Sequence, residues 1–164
     1  MTVSRYSSKK TASDFRKKQQ FFLDVGCGNN KMPDHIGMDR RKLDGVDVVH
    51  DAEVFPWPFA DETFNRITLS HVMEHLKPWL VIDIMNEMWR VMKPGGLLML
   101  AMPYPGSFGF WQDPTHIKSW NEATCTYFDP DHPLYAIYEP KPWKIEANVW
   151  RSDGNIEIAM RKRA

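Results

Sequence analysis

Three short stretches place chemically useful side chains directly after apolar segments. Asp24-Val25-Gly26-Cys27-Gly28 overlaps and follows the run Phe21–Val25. Glycines there let the backbone turn tightly and approach a ligand with no Cβ in the way. Positions 29–31 read Asn-Asn-Lys, so the third glycine of a dinucleotide fingerprint is missing. A nucleoside without phosphates therefore fits better than a pyrophosphate. Asp39 closes a second segment, Ile36–Asp39, where a carboxylate can accept from both hydroxyls of a ribose. Asp51-Ala52 follows a third, Val46–Val49. The Asp51 carboxylate can accept from an adenine amine while the adjacent N–H reaches a ring nitrogen. Each acid alone is most often a turn residue; their succession asks for an adenosine.

The elements that must hold these residues are readable from pattern. Phe21–Val25, Ile36–Asp39, Val46–Val49, Phe64–Ser70 and Gly96–Ala101 read as buried strands. A helix starting near Lys77-Pro78 is predicted from Val81, Ile84, Met85, Met88 and Met92, with Pro94-Gly95-Gly96 ending it. Trp143–Trp150 and Asn155–Arg161, joined at Ser152-Asp153-Gly154, read as a hairpin. The fold class is α/β: a Rossmann-like three-layer sandwich on a mostly parallel seven-stranded sheet with an antiparallel C-terminal hairpin strand. The connections after the first two strands are shorter than the roughly 10–12 residues of a parallel crossover. A turn at Asn29–Asp34 and a bare loop replace the helices expected there. One sheet face near the ribose position is left thinly covered, for the Trp and Phe clusters or a second subunit to screen. Residues 1–20 form a basic arm with a short helix near Asp14–Gln20, and 21–164 a single domain; the basic run Arg161-Lys162-Arg163 reads as a solvated end.

Longer segments bear a family resemblance. Leu23–Gly28 resembles motif I of the class I S-adenosylmethionine-dependent methyltransferases. Asp51-Ala52-Glu53-Val54-Phe55-Pro56 with Asp61–Ile67, then Ser70-His71-Val72-Met73-Glu74-His75-Leu76, then Trp89-Arg90-Val91-Met92-Lys93-Pro94-Gly95-Gly96, are similar to that family's later motifs, in order, across residues 21–105. The resemblance implies S-adenosylmethionine as cofactor and S-adenosylhomocysteine as product. It implies that Asp24 and the backbone at Gly26 serve the methionine moiety, Asp39 the ribose, and Asp51 and Ala52 the adenine, with Cys27, Gly28 and Arg40 also cofactor-binding. Ser70 and His71 would line the cofactor near its methyl group. The acceptor is expected to be a small molecule that attacks the methyl in line, with His71 or His116 assisting deprotonation. A non-catalytic cofactor-binding module, a NAD-dependent oxidoreductase and a nucleic-acid methyltransferase using the basic ends are the rivals.

The remaining features bound the reading. With 164 residues, zero formal net charge, 43% apolar and 26% charged residues, the chain needs no disulfide or metal to fold and has no global field for nucleic acid. Cys27 and Cys125 do not make a disulfide scaffold; Cys27 is a small filler in the glycine turn. No apolar run reaches the roughly 18 residues of a membrane span, and no signal peptide is visible, so a cytoplasmic location is expected. A homodimer is compatible. His71-x-x-Glu74-His75 formally matches a zinc-protease motif, but no third ligand is evident in sequence, so no metal is expected. Met102–His116 is long for a structureless connection; it reads as a substrate loop, or as a packed Ω-loop with Trp111 and Trp120 in a satellite core.

Overall fold

The computed structural model describes residues 21–163; the arm and helix expected within 1–20 lie outside the described residues. Seven strands form one sheet: β1 (Phe22–Val25), β2 (His35–Asp39), β3 (Val48–Val49), β4 (Phe64–Ser70), β5 (Met92–Pro103), β6 (Trp143–Trp150) and β7 (Asn155–Lys162). Their order is β3-β2-β1-β4-β5-β7-β6. The first five are parallel, and β7 runs antiparallel between β5 and β6. The order reverses between β1 and β4, which opens a crevice at their carboxyl ends.

Strand register builds the core in rows. Leu23 pairs with Ile36 and Ile67, Ile67 with Leu98, and Leu98 with Met160; Val25, Met38, Leu69, Leu100 and Ile158 form the next row. All ten are buried, against Ile84, Met85, Met88 and Val91 of the helix α1 (Val81–Val91). Burying each such side chain stabilises by about 1.5–3 kcal/mol. Alternation sends Arg66, Met99, Ala101, Glu157, Ala159 and Arg161 to the opposite face, where they are partly or fully exposed. Among the described residues that face carries no helical layer. Of the aromatic residues, Trp57, Phe59, Trp120 and Trp143 belong to the core on the α1 side, and Phe22 lies on the open face beneath Arg66.

The connections 26–34 and 40–47 contain turns and no helix, as their shortness requires. Three details differ from the pattern-based expectation. A 3-10 turn over Pro78–Leu80 precedes α1, which stops at Val91 rather than at the Pro-Gly-Gly. Met92 already pairs with Phe64, and the ladder resumes at Leu97 after an irregularity. Proline disfavours helical geometry at the residue before it, so Lys93 cannot extend the helix. Third, the basic run 161–163 is only in part a solvated end: Arg161 is exposed, Lys162 is buried and Arg163 is half-buried. Arg161 pairs with Glu146 at 3.0 Å, and Lys162 is buried over the Trp89 ring, donating to the Met92 carbonyl at 2.7 Å. Arg163 pairs with Asp129 at 2.9 Å and with Asp131. The run closes the interior strand β7; Glu146 comes from the neighbouring β6, and Asp129 and Asp131 from the segment that precedes it.

Side chains hold what short crossovers cannot. The loop between β3 and β4 also lacks a helix, and α1 anchors it through Glu87 and Arg90. The Glu87 carboxylate accepts from Trp57 N–H at 2.6 Å and from Arg90 at 2.5 and 2.9 Å. Burial would push this carboxyl up, but the guanidinium and the Trp57 N–H outweigh it and hold it below its ordinary range. Arg90 also donates to the Phe59 and Trp57 carbonyls and to Asp61. Replacing Arg90 by Met leaves a buried carboxylate unpaired; we expect a stability loss of about 3 kcal/mol, measured by urea unfolding. A loss below about 0.5 kcal/mol, the level of an ordinary surface change, would contradict this anchoring role.

Candidate functional site

A cleft of about 480 Å³ opens at the carboxyl ends of β1, β2 and β4, within the range of small-molecule sites. Its floor is the turn after β1. The N–H groups of Gly26 and Cys27 donate to the Met38 carbonyl at 2.7 and 3.3 Å, folding the turn over the end of β2. Gly26 adopts φ 70°, and a Cβ there would meet Val72 Cγ2 at 2.4 Å. Glycine is required on both counts. Gly28 N–H donates to Asp39 Oδ2 at 2.9 Å.

Asp39 is buried at the foot of the cleft. Its Oδ1 accepts from the Arg41 backbone N–H at 2.8 Å and from Arg41 Nε at 3.1 Å. Burial alone would raise this carboxyl; the Arg41 guanidinium and the N–H groups of Arg41 and Gly28 bring it below its ordinary range. The Arg41 side chain is 61% exposed. Arg40 and Arg41 both border the cleft. On the third side, Asp51 Oδ1 accepts from Glu53 N–H at 2.9 Å. Its other oxygen and the Ala52 N–H make no hydrogen bond among the described residues. Trp57 Nε1 donates to the Ala52 carbonyl at 3.1 Å and fixes that edge.

Asp24 sits elsewhere. Its carboxylate accepts from Met32 N–H at 2.9 Å, behind the turn and off the cleft wall. Burial holds it above the ordinary carboxylate range. Cys27 is buried beneath the turn, and burial pushes its thiol up to about 11, as suits packing rather than reactivity. Both cysteines are free. Ser70 is exposed at the end of β4, outside the wall, which continues with His71.

His71 follows β4 with φ 56°, in the left-handed region, so it does not begin a helix. Its imidazole borders the cleft, half-exposed, with Nδ1 3.3 Å from Glu74 Oε1. The adjacent carboxylate holds it above its ordinary range. His116 is only 7% exposed and lies behind His75, ring centroids 4.7 Å apart. Of the two candidate bases, His71 reaches the cleft. The loop after β5 does contribute wall: Ile117 N–H donates to the Glu74 carbonyl at 2.8 Å, and Thr115 and Ile117 border the cleft with His75. Trp120 is packed in the main core, stacked on Phe128, while Trp111 points outward, 75% exposed. Arg41, His50, Glu53, His75 and Thr115 are among the wall residues that sequence reading passed over. The dibasic pair after Asp39 was the available signal for Arg41; nothing local marks the others.

A family profile described as a methyltransferase domain matches residues 5–146. The chain belongs to that methyltransferase family. A probable S-adenosylmethionine-dependent methyltransferase of Mycolicibacterium smegmatis is 27% identical over 124 residues, covering 63% of this chain and 48% of the relative. A demethylmenaquinone methyltransferase of Listeria welshimeri is 24% identical over 113 residues, covering 66% of this chain and 42% of its own length. The chain thus spans less than half the length of these curated relatives. In fold it is similar to a SAM-dependent methyltransferase from Archaeoglobus fulgidus, TM-score 0.64, at 19% identity, with 87% of this chain and 86% of that one covered.

S-adenosylmethionine is the cofactor this family implies, and the cleft suits it. The Gly26 and Cys27 N–H groups are spent on Met38, leaving no nest for a pyrophosphate. The Asp39 carboxylate is shielded by an exposed, displaceable guanidinium. Asp51 and Ala52 offer one acceptor and one donor, the pair an adenine edge needs. Among the described residues no helix is long and apolar enough to cross a membrane. Gly26→Ala imposes left-handed strain and drives a Cβ into Val72; we expect a loss of about 2 kcal/mol or more in thermal or urea unfolding. A variant as stable as the parent would show that the turn has room this geometry denies.

Proposed function

We propose that the chain binds S-adenosylmethionine in the cleft and transfers its methyl group to a small-molecule acceptor. The observation that carries the reading is Asp39: a buried carboxylate tied to the glycine turn by Gly28 N–H and capped by the exposed Arg41 side chain. In this reading the ribose hydroxyls replace the Arg41 guanidinium on Asp39. Asp51 and the Ala52 N–H take the adenine edge, and the Gly26 turn lies under the methionine moiety. Asp24 acts at one remove, holding residue 32 so that the turn keeps its shape.

When bound, the cofactor supplies a sulfonium methyl open to in-line displacement. The chain's own contribution is orientation and exclusion of water. His71, at the cleft wall beyond β4, is placed to take a proton from an acceptor hydroxyl. A second concavity adjoins the loop after β5, lined by Tyr104, Phe108, Gln112, Trp150 and Asp153. Its aromatic lining favours a small, partly apolar acceptor. The nucleic-acid alternative loses one of its two basic ends, because Arg161, Lys162 and Arg163 are engaged within the domain.

Calorimetry with S-adenosylmethionine and S-adenosylhomocysteine tests the reading. We expect one site, with affinity at least tenfold weaker in Asp39→Ala, since a lost hydrogen bond to a charged group is worth about 1.5–3 kcal/mol. His71→Ala should lower turnover without matching loss of cofactor affinity. Binding of NAD with none of S-adenosylmethionine would refute the proposal, and cofactor binding without methyl transfer to quinol or phenol acceptors would refute its catalytic half.

A further inference from the structure

One cluster takes no part in this account of the nucleoside. Glu74, in the 3-10 turn Met73–His75 after β4, is fully buried. Neither carboxylate oxygen has a hydrogen-bond partner among the described residues. The polar groups nearest to it are imidazoles: His71 Nδ1 lies 3.3 Å from Oε1, outside hydrogen-bond alignment, and His116 Nε2 lies 4.0 Å away. A buried carboxylate without hydrogen-bond donors is costly; the half-exposed His71 imidazole gives Oε1 one ion-pair contact, and Oε2 has no partner among the described residues.

Two imidazoles beside it are oriented as ligands. His116 Nδ1 lies 2.8 Å from the Phe110 carbonyl, which can only accept, so the proton sits on Nδ1 and Nε2 carries a free lone pair. His75 Nδ1 lies 3.0 Å from Thr115 Oγ1, whose own proton goes to Asp113 Oδ1 at 2.7 Å. Nδ1 of His75 is therefore the donor, and its Nε2 is also free. Outer hydrogen bonds of this kind fix the tautomer and aim of metal-binding histidines. One ring nitrogen from each histidine and one Glu74 oxygen lie within 4.8 Å of one another. Ligands at about 2.0–2.2 Å around a tetrahedral zinc stand roughly 3.3–3.5 Å apart, so closing the set takes side-chain movements of about an ångström.

We infer that Glu74, His75 and His116 form a binding site for one zinc ion. Two neutral imidazoles and a carboxylate make a ligand set suited to zinc, with a fourth position left open. The ion would give the Glu74 carboxylate a bonded partner in place of two imidazoles at 3.3 and 4.0 Å. It would also fasten the loop carrying His116 to the end of β4, where two backbone bonds to the Glu74 carbonyl already draw it. His75 borders the cleft, so the ion would sit beside the acceptor's approach. The His71-x-x-Glu74-His75 spacing contributes only its last two members. The third ligand comes from a separate loop, which is why no sequence motif shows it.

The test uses the full chain, stripped with chelator and titrated with zinc alone by calorimetry, with cobalt substitution read by visible absorption. Neither readout depends on cofactor binding or methyl transfer, so its failure leaves the proposed function standing and the reverse holds too. The expected result is one equivalent bound at micromolar affinity or tighter, cobalt bands of a four-coordinate centre, and a raised unfolding temperature. His116→Ala and His75→Ala should each weaken binding at least tenfold, while His132→Ala leaves it unchanged. Glu74→Gln should do the same as the ligand variants; if it does not fold, the two histidine variants decide. No binding by folded protein at 100 µM zinc would overturn the inference. So would binding that survives both histidine substitutions.

Discussion

The Glu87–Arg90 pair is the interaction on which the cleft depends. In most open α/β sheets, crossover helices brace the loops at the carboxyl ends of the strands. Here the connections 26–34, 40–47 and 50–63 contain no helix, and α1 is the only long helix among the described residues. A single carboxylate on α1 holds Trp57, Trp57 holds the Ala52 carbonyl, and Ala52 forms the third side of the cleft. Arg90 completes the brace by collecting the carbonyls of Trp57 and Phe59. Side-chain hydrogen bonds thus do locally what a helical layer does elsewhere. A buried, mutually paired ion pair can bear this role because removing either partner strands the other.

Much of this was legible in sequence, and what was not has identifiable causes. The strands Phe64–Ser70 and Trp143–Trp150 follow directly from apolar runs and turn residues, which are local signals. The ordered motifs from Leu23 to Gly96 gave the family, and the short spacings correctly removed the early helices. Arg161-Lys162-Arg163 misled because its partners, Glu146, Asp129, Asp131 and the Met92 carbonyl, lie far off in sequence. Asp24 lies within β1, where strand alternation turns its carboxylate to the face opposite Leu23 and Val25, and there it accepts from Met32 N–H.

The two sides of the cleft have different physical characters. The β1–β3 side is rigid, built from backbone hydrogen bonds to Met38 and Asp39 and from buried rows of the sheet. The opposite side is assembled from the turn after β4 and the loop after β5, held by the Glu74 carbonyl, a pair of imidazoles and Thr115.

A crystal structure of the chain with S-adenosylhomocysteine tests the central claim most directly. The account predicts the ribose hydroxyls within hydrogen-bond distance of Asp39, Arg41 swung away, and adenine between Asp51 and the Ala52 N–H. Density for the nucleoside elsewhere, or Arg41 still closed on Asp39 with the ligand bound, would contradict it.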